Sequence, residues 1–203
     1  MLVDLGAGLG GASEAFMDDS SWIVRRFDIA PEVCNVPNMC WGDYVNDTSY
    51  VIKLIWQCME TNGITPNNLY IWASPECKEW SDGFNSKKST ARRNKKEFIP
   101  NLEQVTAIRH IVEVLKPRAW ILENVRGGQE FISPLLGEPR TVKNPFYLWG
   151  NFPLFVIPDH DVDKTSMGPN AMRYWERSKI PIELSRSMKK AFDNQTTLME
   201  FFS

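Results

Sequence analysis

The run Leu2-Val3-Asp4-Leu5 passes without a spacer into Gly6-Ala7-Gly8-Leu9-Gly10-Gly11, and this junction limits the architectures open to the chain. A β-prone stretch meets four glycines within six positions, which permit positive φ and let a ligand approach the backbone closely. The residues that follow predict a helix over 12–17, whose free amides would attract negative or electron-rich groups. Strand, glycine turn and helix in this order form either an ordinary tight turn or a nucleotide-type cofactor site. The next predicted strand, over 22–27, favours the cofactor site. It ends in Asp28-Ile29, where an acid commonly accepts hydrogen bonds from ribose hydroxyls.

The glycines are not spaced as G-x-G-x-x-G, and Asp4 precedes them at the strand end. That arrangement suits S-adenosylmethionine, which has no pyrophosphate to cradle, better than a dinucleotide. Asp4, Gly6, Ala7, Gly8, Gly10 and Gly11, with Asp28 and Ile29, are the candidate cofactor-binding residues. Asp43, in Trp41-Gly42-Asp43-Tyr44, is a second acid suited to an adenine amino group.

Further along, Val51, Leu54, Ile55 and Cys58 have helical spacing, and Asn62-Gly63 ends that helix. The apolar run Leu69-Tyr70-Ile71-Trp72-Ala73 reads as a buried strand feeding the loop Ser74-Pro75-Glu76-Cys77-Lys78. Open α/β sheets place their chemistry at such strand ends, so Cys77 is either a nucleophile or a small buried hydrophobe. No regular element is predicted between Gly83 and Pro100. Asn101 then caps a helix with Leu102, Val105, Ile108, Val112 and Leu115 on one face, stopped before Pro117, with His110 at its surface or boundary. The strand Ala119-Trp120-Ile121-Leu122 delivers Glu123-Asn124 to the same sheet edge as Cys77. A carboxyl there is a candidate acid with a raised pKa, or a loop carboxylate. The remaining expectations are a strand over 146–150, a neighbouring strand over 152–157, and a closing helix over 183–192 after Pro181. Asp159-His160-Asp161 reads as an Asp-rich turn rather than a metal site.

With 203 residues, 43% hydrophobic and 24% charged, the chain fits one globular domain spanning 1–203. No apolar run approaches the roughly 20 residues of a membrane span, so a soluble, cytoplasmic protein is expected. The four cysteines, Cys34, Cys40, Cys58 and Cys77, form no C-x-x-C pair, so reduced thiols and no structural metal are expected. The net charge of −2 conceals an uneven distribution: Lys87, Lys88, Arg92, Arg93, Lys95 and Lys96 fall within ten residues that include no acid. Such a run is a solvated loop or a grip on phosphates beside Cys77.

Taken in order, Asp4-Leu5-Gly6-Ala7-Gly8-Leu9-Gly10-Gly11, Cys77-Lys78-Glu79-Trp80-Ser81 and Glu123-Asn124-Val125 resemble motifs I, IV and VI of the DNA cytosine-5 methyltransferases, and Gly42-Asp43 resembles motif III. The resemblance implies a Rossmann-like, doubly wound, mostly parallel α/β sheet, with S-adenosylmethionine as methyl donor and DNA as substrate. Cys77 would add to cytosine C6 and a protonated Glu123 would hydrogen-bond N3, with Pro75 and Asn124 among the substrate-binding residues and Ser81 on phosphates. A loop over about 78–99, with Lys87, Lys88, Arg92 and Arg93, would close over a nucleotide that is extruded or already single-stranded.

The chain departs from the family pattern at several points. Pro75-Glu76-Cys77-Lys78 stands where the family has Pro-Pro-Cys-Gln, and the Glu76 carboxylate should raise the thiol's pKa unless Lys78 offsets it. Gly6 replaces an aromatic residue, through either a repacked pocket or room for a sulfonium group bulkier than methyl. The family's Gln-x-Arg-x-Arg motif is missing, and Arg140 or Lys143 would stand in for it. About fifty residues follow Gly150, fewer than a usual target-recognition domain needs. In this the chain resembles short bacteriophage methylases, and an accessory specificity partner would fit. RNA or a free pyrimidine nucleotide as acceptor, and an inactive binding relative, are the competing readings.

Overall fold

The chain alternates strands and helices, and the computed structural model describes residues 1–83, 86–159 and 173–200. In order the elements are β1 (Leu2–Leu5), α1 (Glu14–Met17), β2 (Val24–Asp28), β3 (Met39–Trp41), α2 (Thr48–Thr61), β4 (Tyr70–Ala73) and α3 (Lys87–Arg93). They continue with α4 (Glu103–Leu115), β5 (Ala119–Asn124), α5 (Gln129–Leu136), β6 (Thr141–Lys143), β7 (Phe146–Asn151), α6 (Arg173–Ser178) and α7 (Ile182–Glu200). The strands form one seven-stranded sheet in the order β3-β2-β1-β4-β5-β7-β6. The first five are parallel, while β7 runs antiparallel to both β5 and β6. This is the Rossmann-like, doubly wound α/β fold expected from the sequence.

Side chains alternate across the strands and divide the core in two. Val3, Leu5, Ile71, Ala73, Leu122 and Trp149 face one layer, where α2 contributes Val51, Ile55 and Met59 and α4 contributes Val105, Ile108 and Leu115. Leu2, Tyr70, Trp72, Ile121 and Leu148 face the other, covered by Phe16 of α1 and by Leu184, Met188 and Phe192 of α7. Those last three recur every four residues and form one stripe. Asp47 accepts from Tyr50 N to start α2, and Lys116 closes α4 in the left-handed region at φ 48° just before Pro117. At the start of α4 the N-cap is Leu102 rather than the expected Asn101, whose Oδ1 accepts from Glu103 N at 2.8 Å from one residue further out.

Several expectations need correction. The stretch 83–100 is not without regular structure, because Ser86 accepts from Ser89 N and starts α3. The buried residue of α3 is Ser89, and charged and hydroxyl side chains fill most of the helix, so there is no apolar period to read. Residues 152–157 form no strand. Pro153 and Pro158 remove ladder donors, while Leu154 and Val156 stay exposed. The partner of β7 is instead β6, which with β3 and α5 had no sequence signal. Helix α1 is shorter than expected, α2 and α7 longer. His110 is exposed, as expected, and all four cysteines are free. His160 and Asp161 lie outside the described residues. Among the described residues no helix is long and apolar enough to cross a membrane.

Candidate active site

The strand order reverses between β1 and β4, and open α/β sheets bind ligands in the crevice at such a point. Leu5 pairs with Ala73 and Ala73 with Leu122, so Gly6, Ser74 and Glu123 emerge level at the carboxyl edge. A cavity of about 1020 Å³ opens there.

One half of the cavity is built on the glycine turn. Asp4 is buried and accepts from Ser13 Oγ at 2.6 Å, and Arg26 Nε donates to the same hydroxyl at 2.8 Å. Arg26 also donates to the carbonyls of Gly10 and Pro37. Burial pushes the Asp4 carboxyl up to about 6, against the hydrogen bond from Ser13. This network holds the turn from below. Asp28 accepts from Gly8 N at 2.9 Å and from the amides of Ile29 and Ala30, which fixes its carboxylate at the rim. Asp43 accepts from the amides of Val45 and Asn46 and from the Asn46 side chain. Gly6 sits at φ +68°, and a Cβ on it would lie 2.6 Å from Ser74 O and 3.4 Å from the Tyr44 hydroxyl. A side chain there would press on the Ser74 carbonyl.

The other half carries the thiol and the acid. Asn124 Nδ2 donates to Pro75 O at 2.9 Å, and Cys77 O accepts from Trp80 N and Ser81 N, which folds the loop into a turn over buried Trp80. Burial raises the Cys77 thiol to about 11; the charges of Glu123 and Glu76 add to this and Lys78 opposes it. The expected effect of Glu76 is present, but burial is the larger cause. Burial also raises Glu123 to about 7, opposed by a hydrogen bond from Ser74. Trp72 Nε1 donates to Ser74 Oγ at 2.7 Å, which leaves the hydroxyl proton for Glu123. The two titrations are linked, because protonating Glu123 removes a charge that disfavours the thiolate. Lys78 Nζ lies 3.4 Å from Glu76 and 3.6 Å over the Tyr174 ring.

Of the residues expected from sequence, Asp4, Gly6, Ala7, Gly8, Asp28, Ile29 and Asp43 line this cavity together with Pro75, Cys77, Ser81 and Glu123. Gly10 and Gly11 do not. A Cβ on Gly10 would meet the Arg26 guanidinium and one on Gly11 the Ile180 carbonyl, so these two glycines serve packing. Asn124 holds the loop from beneath. Lys87 pairs with Glu79 at 2.7 Å, and Lys88 pairs with Glu130 and Asp82. Arg92 and Arg93 lie in the last turn of α3, outside the cavity. Arg140 stacks over the Phe152 ring at 5.6 Å, and Lys143 is engaged by Ile157 O and Asp159, so neither reaches the cavity. Sequence reasoning missed Ser74, Tyr44, Gln104, Tyr174 and Trp175, all of which line it. Gln104 is a polar residue beside an apolar helix stripe, and nothing in its spacing set it apart.

No family model matches the chain. No curated protein matches it either. Among solved structures it is similar to a crystal structure described as a DNA modification methyltransferase encoded within a prophage of E. coli, at 16% identity and a TM-score of 0.44. The similarity covers 74% of this chain and 46% of that one, so this chain spans about half the length of that protein. A likeness this distant assigns neither chemistry nor substrate. Among the described residues no three His, Cys, Asp or Glu side chains cluster as metal ligands.

Proposed function

We propose that this protein methylates C5 of cytosine in DNA, with S-adenosylmethionine as donor. The observation that carries the reading is the shared cavity of Cys77 and Glu123, a thiol and a proton-bearing carboxyl beside a glycine turn and a ribose-type acid. The cavity suits the donor in chemistry as well as size. The side-chain-free turn at Gly6 and Gly8 leaves backbone open, and Asp28 presents a fixed carboxylate that has already spent its local bonds. Bound there, S-adenosylmethionine supplies an electrophilic methyl group on a sulfonium.

The chain's own residues supply the rest. Cytosine C5 is a weak nucleophile, so Cys77 adds to C6 as thiolate and converts the ring to an enamine. Glu123, which burial raises to about 7, donates to N3 in its protonated form and stabilises the charge that the addition places there. Ser74 holds that carboxyl from behind. Once C5 is alkylated, solvent water takes its proton, the C5–H electron pair re-forms the C5–C6 double bond, and the C6–S bond breaks with Cys77 leaving as thiolate. The base must stand outside the stack to reach the cavity, whose lining includes Ser81 as a contact for its phosphates.

Oligonucleotides carrying 5-fluorocytosine test this reading, because fluorine at C5 cannot leave as a cation and the adduct persists. With S-adenosylmethionine present, the expected result is a covalent complex whose peptide map places the nucleotide on Cys77. A protein that binds S-adenosylmethionine and DNA but forms no adduct contradicts the reading.

A further inference from the structure

The two departures from the family pattern named above, Gly6 and Glu76, meet at one side chain. Gln104, on the first turn of α4, accepts two hydrogen bonds at the same oxygen: from the Tyr44 hydroxyl at 3.0 Å and from Glu76 N at 2.8 Å. The backbone N–H can only donate, so the amide oxygen must face it, and the orientation of Gln104 is fixed. Tyr44 is 8% exposed, and its hydroxyl borders the space beside Gly6 where no side chain fits. Glu76 immediately precedes Cys77. A proline, the family's residue at this position, has no N–H and could not make this bond.

We propose that Gln104 is a positioning residue that ties the cofactor-side wall to the nucleophile loop, replacing the stiffness that proline would give the loop. This rests on the proposed reaction for its catalytic meaning, though not for its geometry. On one side of the tie stands Tyr44, next to Asp43 and against Gly6. On the other stands the backbone that sets where the Cys77 sulfur lies. The second hook on the loop, Asn124 to Pro75 O, acts one residue earlier and from the sheet side. Together the two hold the pair of residues before Cys77 from opposite elements, α4 and β5.

Proline substitution supplies a test that a general structural role would not pass. Gln104→Leu removes the acceptor of both bonds, releasing the exposed loop at Glu76 N and leaving the buried Tyr44 hydroxyl unpaired. It should lower kcat at least tenfold while changing KM for S-adenosylmethionine less than threefold. Adding Glu76→Pro to Gln104→Leu stiffens the loop by another route, though the Tyr44 hydroxyl stays unpaired, and should bring kcat back to within about threefold of wild type. Alkylation of Cys77 by iodoacetamide at pH 9, followed by peptide mass spectrometry, requires neither cofactor nor DNA. Gln104→Leu should change its rate at least threefold, and the double variant should return it towards wild type. Wild-type alkylation in Gln104→Leu, or a double variant no better than the single, overturns the tie. Absence of methyl transfer in the wild type, with the alkylation pattern as expected, overturns the proposed reaction and leaves the tie standing.

Discussion

At the scale of single residues, Glu123 joins function to a cost in stability. Its carboxyl titrates near 7 in the folded chain against an ordinary 4.5, because burial disfavours the charge. Between those values the folded chain keeps a proton that the unfolded chain has released. Stability therefore falls as pH rises through that window and levels off above it. Glu123→Gln keeps the shape without the charge. It should melt with wild type near pH 4 and roughly 5–10 °C higher at pH 8, given about 2–3 kcal/mol relieved, while losing methyl transfer. Equal melting at pH 8 would mean that burial does not penalise the Glu123 charge. Ser74→Ala removes the hydroxyl that favours the Glu123 carboxylate, so the basic limb of the pH–rate profile should move to higher pH. The same change strands the Trp72 N–H, at a stability cost of about 1–3 kcal/mol.

At the scale of elements, α7 does more than close the chain. Phe192 stacks on Tyr70 at 4.6 Å and lies near Phe16 and Trp22, linking α7 to α1 and the sheet beneath the glycine turn. Phe192→Ala should cost about 3–5 kcal/mol in denaturant unfolding, and a value under about 1 would mean that this face is loosely packed. The elements also show what sequence made legible. The strands at the sheet centre, β1, β4 and β5, are apolar runs ending in polar loops, so their type and the shared edge of Cys77 and Glu123 were readable from alternation and turn residues. The shorter elements were not. Three-residue β3 and β6 offer too few positions for a period, and α3 has charged residues where a helix usually shows its buried stripe. Gly10 and Gly11 were read as ligand-facing because a glycine signals a close approach without naming the partner, here Arg26 and Ile180. Gln104 and Tyr44 act through one hydrogen-bonded contact between residues sixty positions apart, which no local pattern encodes.

At the scale of the whole molecule, the proposed reaction requires an acidic chain to attract an anionic polymer. Within α3, Arg92 and Arg93 are exposed in the last turn, which suits them to phosphates. Replacing both with Gln should weaken DNA binding and reduce the slope of log K against log salt by about 2, with S-adenosylmethionine affinity unchanged. An unaltered slope would place the phosphate contacts elsewhere. The central claim is the reaction itself, and the most direct measurement is transfer of labelled methyl from S-adenosylmethionine to unmodified double- and single-stranded DNA, with Cys77→Ser alongside. The expected result is label recovered as 5-methylcytosine from the wild type and none from the variant. Folded protein that binds S-adenosylmethionine yet labels neither DNA, or label that persists in Cys77→Ser, would contradict the account.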